Sequence, residues 1–239
     1  MLPPASQYPG TPLNLFRMRE NIIQVKTVGP DGRIHIEGDW YHNGIPSNVT
    51  LAESVYMDTS YGLSAFYAES KDALTIDEAS GCYGVVNFIV SKEGKVSVGK
   101  FSVLNETTIV CNQMVIIGNH CMLAWGSVVT DTWLDATSYS LELRKQLLIN
   151  VSQNPLRPHP FPGTSLPVVI EDNCWVGFNA IIMPGVRLGR GCVVGCKTVV
   201  ETDVPPYAVV TGSPARIVKY LAADDTDDKR EEALIHYLM

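Results

Sequence analysis

An all-β solenoid is the fold class this sequence predicts, and three observations predict it. Aliphatic residues recur every sixth position from Ile170 without a miss: Ile170, Val176, Ile182, Leu188, Val194 and Val200. Four residues behind each stands a small or β-branched residue: Cys174, Ala180, Val186, Cys192, Thr198 and Val204. Glycine follows the first column at Gly177, Gly189 and Gly195. A helix would place apolar residues at i, i+3, i+4 and i+7, and a half-buried strand would alternate with period two, so neither yields a strict period of six. Each hexad therefore reads as one short strand and a turn. The aliphatic residue points inward, the small one packs where the chain bends, and glycine relieves the backbone there.

Upstream the pattern is broken but recognisable. Ile117, Leu123 and Val129 form one set, with Cys121 and Ser127 in the small column. Val98, Leu104 and Val110 form another, with Ser102 and Thr108 as partners and one residue inserted before Ile117. Leu51, Met57 and Leu63 make a weaker set, because Tyr61 and Tyr67 fall in its small column. Residues 1–48 precede the repeats and read as an N-terminal cap, which a solenoid needs to cover the open end of its core. Within it, Gly29-Pro30-Asp31-Gly32 is a turn signal between Ile22-Ile23-Gln24-Val25 and Ile34-His35-Ile36. Residues 49–220 form the repeat domain, interrupted over 131–166 by a long excursion. That excursion holds a predicted helix over 140–149 and a Pro-rich run, 155–163. A stretch this long between regular coils is a place to look for function. Residues 221–239 form a tail, where acidic residues from Asp224 precede a short apolar helix.

Composition excludes several classes. The 239 residues carry 18 Lys+Arg and 25 Asp+Glu, a formal charge of −7, and only 18% are charged while 46% are hydrophobic. Disorder needs the opposite balance. A net acidic chain without a basic stripe is not a general nucleic-acid binder. No apolar run approaches the roughly 20 residues that span a bilayer, and the first residues lack the basic and apolar regions of a secretory signal. The expectation is a cytoplasmic protein with no membrane insertion. Six cysteines without a CxxC pair make neither a disulfide scaffold nor a zinc ribbon. Cys174 and Cys192 are three hexads apart and should stack as buried apolar fillers. The run Gly191–Thr198 is not a phosphate-binding P-loop, because Cys196 stands before Lys197 where that motif has glycine.

The segments 170–177, 182–189 and 193–200, closing in Val204-Pro205-Pro206-Tyr207 and Gly212-Ser213-Pro214-Ala215-Arg216, resemble the hexapeptide-repeat acyltransferases. The resemblance is specific over about 165–220, good over 96–133 and weak elsewhere. It implies a left-handed parallel β-helix, coenzyme A as acyl donor in the form of acetyl-CoA, no metal, and a homotrimer with active sites between adjacent solenoids. Trp175, Phe178 and Ile181 would form an outward apolar face suited to such packing. The resemblance further implies a coenzyme groove along the last coils at Trp175, Gly177, Gly195 and Pro206, with Lys197, Arg216 and Lys219 pairing its phosphates.

Acyl transfer needs a base active near neutral pH, and histidine is the natural one. His35 and His42 lie in the cap, His236 in the tail and His120 at an outward turn, which leaves His159 in the excursion. Where the family places an imidazole just after the interrupted coil, this chain has Asp135. Three assignments follow: His159 as base, Asp135 as base with a raised pKa in a partly dry pocket, or Asp131 orienting whichever group acts. The function expected is transfer of an acetyl group to a hydroxyl of a sugar or small-molecule acceptor. The alternative is a non-catalytic trimeric β-helix scaffold or binding protein that has lost its histidine. A zinc enzyme of the carbonic-anhydrase kind would need three converging imidazoles, and the regular coils offer His120 alone.

Overall fold

In a computed structural model, which describes residues 24–133, 140–153, 164–223 and 229, the chain winds through three parallel sheets in strict rotation. The first sheet stacks Val49–Leu51, Leu74–Ile76, Lys95–Val98, Met114–Ile117, Val168–Ile170 and Arg187–Leu188. The second stacks Tyr56–Met57, Gly81–Tyr83, Val103–Asn105, Met122–Leu123, Trp175–Val176, Val193–Val194 and Ala208–Thr211. The third stacks Asn87–Val90, Thr108–Cys111, Val128–Thr130, Ile181–Ile182 and Val199–Val200. The result is a parallel β-solenoid of about six turns.

The period-six columns are its core. Ile170, Val176, Ile182, Leu188, Val194 and Val200 are all buried, and so are Cys174, Ala180, Val186, Cys192, Thr198 and Val204. Register aligns them coil on coil: Leu123 pairs with Val176 and Val176 with Val194 on the second sheet, and Val129 with Ile182 and Ile182 with Val200 on the third. The glycines sit where the next coil crosses. A Cβ on Gly177 would lie 2.8 Å from Cys196 N, and one on Gly189 would lie 2.5 Å from Pro206 N.

Two expectations shift. Ile109, not Val110, points inward, with Thr107 rather than Thr108 in the small column. The step from Leu104 to Ile109 is five residues, because the turn between second and third sheets is one residue shorter there, with Glu106 held at φ 42°. In the first coil Met57 and Leu63 are buried, but Tyr61 and Tyr67 point outward. Their slots go to other residues because this coil's third side is a 3₁₀ turn, Ser60–Leu63, rather than a strand.

The N-terminal hairpin pairs Lys26–Val28 with Ile34–Ile36, and Ile36 and Ile45 close the core from below. Ile22 and Ile23, expected in its first strand, lie outside the described residues, as does the tail helix apart from Lys229. Among the described residues of the excursion there is one helix, Leu141–Gln153, longer than the expected 140–149, and the Pro-rich run 155–163 lies outside the described residues. No helix among the described residues is long and apolar enough to cross a membrane.

Asp39 ties the cap to the first coil. Its buried carboxylate accepts the Thr59 hydroxyl at 2.8 Å, the Ser60 hydroxyl at 2.5 Å, and the amides of Ser60 and Tyr41 at 3.2 and 3.1 Å. Burial pushes its pKa up, but the Ser60 and Thr59 hydroxyls and the two amides outweigh burial and hold it below the ordinary carboxylate value. A group depressed on folding stabilises above its unfolded pKa, about 3.9, and loses that contribution as pH falls through the folded value. The expected outcome is a melting temperature that falls below about pH 4 in the wild type and less steeply in Asp39→Asn, read by circular dichroism across a pH series.

Candidate active site

The excursion leaves and re-enters the solenoid through a short antiparallel clasp, in which Thr132 pairs with Ser165 and Trp133 with Thr164. Hydroxyls gather at this root. Asn112 Nδ2 donates to Thr132 Oγ1 at 2.9 Å, Thr132 Oγ1 and Ser165 Oγ are 3.0 Å apart, and Thr130 Oγ1 donates to the Thr132 carbonyl at 2.7 Å. Nothing in the sequence singles out Asn112, Thr132 and Ser165, because polar residues at coil ends carry no periodic signal.

Asp131, beside this root, is completely buried. Its carboxylate accepts the backbone amides of Asn112 at 2.8 Å and of Gln113 and Met114 at 2.7 Å each, with the Cys111 thiol at 3.5 Å. Both oxygens are thus engaged by the turn of the preceding pass, and the group holds backbone. The expectation that Asp131 orients a catalytic side chain meets a carboxylate already occupied; it positions the point from which the excursion departs. Asp135 and His159 lie outside the described residues.

The residues expected to hold coenzyme fall mainly on one side of the molecule. Trp175, Val193, Val209 and Lys219 form a single register row across the second sheet, Lys219 arriving on the antiparallel strand Arg216–Tyr220. At about 4.8 Å per strand the row runs about 14 Å from Trp175 to Lys219. Lys197 occupies the edge between the second and third sheets, with φ 56° and its amide donating to the Phe178 carbonyl at 2.8 Å. Lys197, Arg216 and Lys219 are exposed, and none of them is in an ion pair among the described residues. Pro206 lies apart, where the first sheet passes to the second, packed over Gly189. Gly177 and Gly195 are accounted for by coil stacking, since a Cβ on Gly195 would meet Thr211 Oγ1 at 3.1 Å.

Trp175, Phe178 and Ile181 do not share one face. Trp175 is on the second sheet and Ile181 on the third, with Phe178 on the edge between them. A coil turns the corner in that interval, which three-residue spacing in a solenoid requires. Phe178 instead stacks on Trp125 of the coil below, ring centroids 5.5 Å apart and planes 12° from parallel. Both follow an inward residue, Leu123 or Val176, by two, so the pairing is readable once those two are aligned.

Five of the thiols, Cys82, Cys111, Cys121, Cys174 and Cys192, are buried in the core, while Cys196 is exposed. Burial pushes Cys82 up to about 12. Cys174 and Cys192 stack with sulfurs 3.7 Å apart, as their spacing predicts. Cys174 lies between Cys121, which lowers its pKa, and Cys192, which with burial raises it, and it ends above the ordinary thiol value.

Residues 167–202, within the period-six stretch, match the family model described as bacterial transferase hexapeptide (six repeats). A 2,3,4,5-tetrahydropyridine-2,6-dicarboxylate N-acetyltransferase of Staphylococcus aureus (strain JH9) is 44% identical over 70 residues, 29% of each chain. The chain therefore spans less than a third of the length of the curated relatives it matches. Among solved structures, a point mutant of AntD, an N-acyltransferase from Bacillus cereus in complex with dTDP and coenzyme A, aligns over 79% of this chain and 87% of its own, with 16% identity and a TM-score of 0.54. A galactoside acetyltransferase in complex with coenzyme A covers 64% of this chain and 67% of its own at 24% identity, TM-score 0.49. The fold is the left-handed parallel β-helix.

Asp131→Ala strips three amides of their acceptor. Hydrogen bonds to a charged group are worth about 1.5–3 kcal/mol each and are not fully additive, so a loss of about 3 kcal/mol is expected, measured as a lowered urea midpoint.

Proposed function

We propose that this chain transfers an acetyl group from coenzyme A to a hydroxyl of a sugar or small-molecule acceptor. The observation that carries the reading is the placement of Lys197, Arg216 and Lys219, exposed and outside any ion pair among the described residues, around the end of the second sheet that Trp175 also lines. On a chain of net charge −7 such a cationic end suits the phosphates of the donor. The hexapeptide match over 167–202 includes Trp175 and Lys197 of this set, and the Staphylococcus aureus relative is an N-acetyltransferase.

In the proposed reaction the acceptor oxygen attacks the thioester carbonyl, its proton passes to His159 or Asp135, and the carbon–sulfur bond breaks to release coenzyme A as the thiol. Backbone amides along the groove stabilise the oxyanion. Asp131 contributes by fixing the turn at Asn112–Met114, from which the clasp and the excursion are hung. The active assembly in this reading is a homotrimer, with sites between adjacent solenoids. The compartment is the cytoplasm, where free thiols such as these six persist.

Acetyl-CoA titrated into the protein should raise its melting temperature, a ligand at 100 times its Kd adding about 2.7 kcal/mol of stability. No shift at millimolar coenzyme overturns the reading in favour of a scaffold. With an accepted substrate in hand, His159→Ala and Asp135→Asn distinguish the base: loss of it should slow turnover about 10²–10⁴-fold. Full turnover in both variants removes both residues from the mechanism.

A further inference from the structure

Three aromatic rings meet at the N-terminal end of the solenoid. Trp40 and Tyr61 lie with ring centroids 5.3 Å apart, tilted by 31°. Tyr41 closes on both, with Tyr61 at 5.1 Å and 85° and with Trp40 at 6.0 Å and 71°. Trp40 is nevertheless 59% exposed and Tyr61 40%. The cluster is held in place by one carboxylate. Trp40 and Tyr41 directly follow Asp39, which binds the Thr59 hydroxyl and the Ser60 amide, and Thr59 Oγ1 in turn accepts the Tyr61 amide at 3.1 Å. Rings in mutual contact leave no gap for a cation between them, so an occupant lies across their outer faces. Among the described residues the Trp40 indole N–H and the Tyr41 and Tyr61 hydroxyls have no hydrogen-bond partner, so the apolar rings carry three available donors.

The chain itself supplies a matching occupant. Residues 1–23 lie outside the described residues, and their sequence carries Pro3, Pro4, Pro9 and Pro12. At the three residues per turn of a polyproline II helix, Pro3, Pro9 and Pro12 share one face, and Pro9 to Pro12 spans about 9 Å. Three rings with centroids 5.1–6.0 Å apart present a face of comparable width. We propose that the Trp40–Tyr41–Tyr61 cluster is the docking surface for this chain's own segment Pro3–Pro12. Its proline rings pack on the aromatic faces, and its backbone carbonyls accept from the indole and the phenols. A polyproline II segment has no internal hydrogen bonds, so its carbonyls are open to such donors. The tether also fits. Gln24 is bound to the first coil, its side chain donating to Met57 O at 2.8 Å and accepting from Met57 N at 3.0 Å. Met57 and Tyr61 are four residues apart in sequence, at most about 14 Å, whereas twelve residues at random-coil dimensions reach about 20 Å. At an effective concentration of about 1 mM, a segment that binds at about 0.1 mM when free is about nine-tenths docked. A second copy fits less well, because the exposed ring surface is about 200 Å², against about 800 Å² per partner in a stable protein interface. The cluster stands at the opposite end of the stack from Arg216–Tyr220, so this docking is separate from the acyltransfer reading.

Fluorine NMR on the full chain labelled with fluorotryptophan tests it. The chain has four tryptophans, and Trp40→Phe assigns the Trp40 resonance. The double variant Pro9→Ala/Pro12→Ala should shift that resonance and leave the other three in place, with an unchanged melting temperature. A synthetic peptide of residues 1–14 added to the double variant should restore the wild-type resonance with a Kd of about 0.1 mM, and should bind the wild type about tenfold more weakly because the tethered segment competes. The same peptide carrying Pro9→Ala and Pro12→Ala should bind severalfold more weakly than the native one, and Tyr61→Ala in the double variant should weaken the native peptide to a similar degree. The proposal is overturned if the Trp40 resonance ignores the double substitution, if the two peptides bind alike, or if the native peptide binds the wild type and the double variant equally. It is also overturned if a peptide of residues 154–164 restores the resonance better than that of 1–14, which gives the surface to the second proline-rich run. A lower oligomeric mass of the double variant in light scattering overturns it as well, since the docked segment then belongs to a neighbouring copy.

Discussion

Each coil of this protein must land on the one below at hydrogen-bonding distance on all three sheets at once. That constraint governs nearly every residue choice between 164 and 211. The backbone ladder leaves about 4.8 Å between coils, so the interior admits one aliphatic side chain per side per coil and a small one at each bend. A larger residue at a bend would lift one corner and break the register on the other two sides. The burial of all twelve residues of the two columns follows from this, as does the stacking of Cys174 on Cys192, two thiols that fit where neither charge nor bulk could.

Where the constraint acts on every residue, the fold is legible in the sequence. From Ile170 to Val204 the inward positions can be written down from spacing alone, because a solenoid repeats its demands at a fixed interval. Over 98–117 the same reasoning selects Val110 where Ile109 points inward, since both are β-branched and a turn one residue shorter leaves no mark in composition. The site is less legible. Asp131 reads as a candidate for chemistry because it is an aspartate near the end of a repeat, and only the three amides at 2.7–2.8 Å reveal that it serves the backbone. Trp125 and Phe178 are 53 residues apart in sequence but neighbours in space, because the excursion separates two successive coils.

Rigidity and chemistry are divided between the inside and the edges. The interior is mainly apolar and regular, while the cations and the exposed aromatics lie on the outer faces and turns, outside the columns that fix the core. A repeat scaffold can in this way vary its surface without renegotiating its core.

The clasp of Thr132–Trp133 with Thr164–Ser165 has a consequence for how such a chain diversifies. Because the two strands close on each other before the coil resumes, the chain re-enters the solenoid at one fixed place whatever lies between. Each doubling of an enclosed loop costs only about 0.6 kcal/mol in closure entropy. The excursion is therefore a cassette: its length and contents can be exchanged by insertion, deletion or recombination between relatives while the strands at Val128–Thr130 and Val168–Ile170 keep their places in the stack.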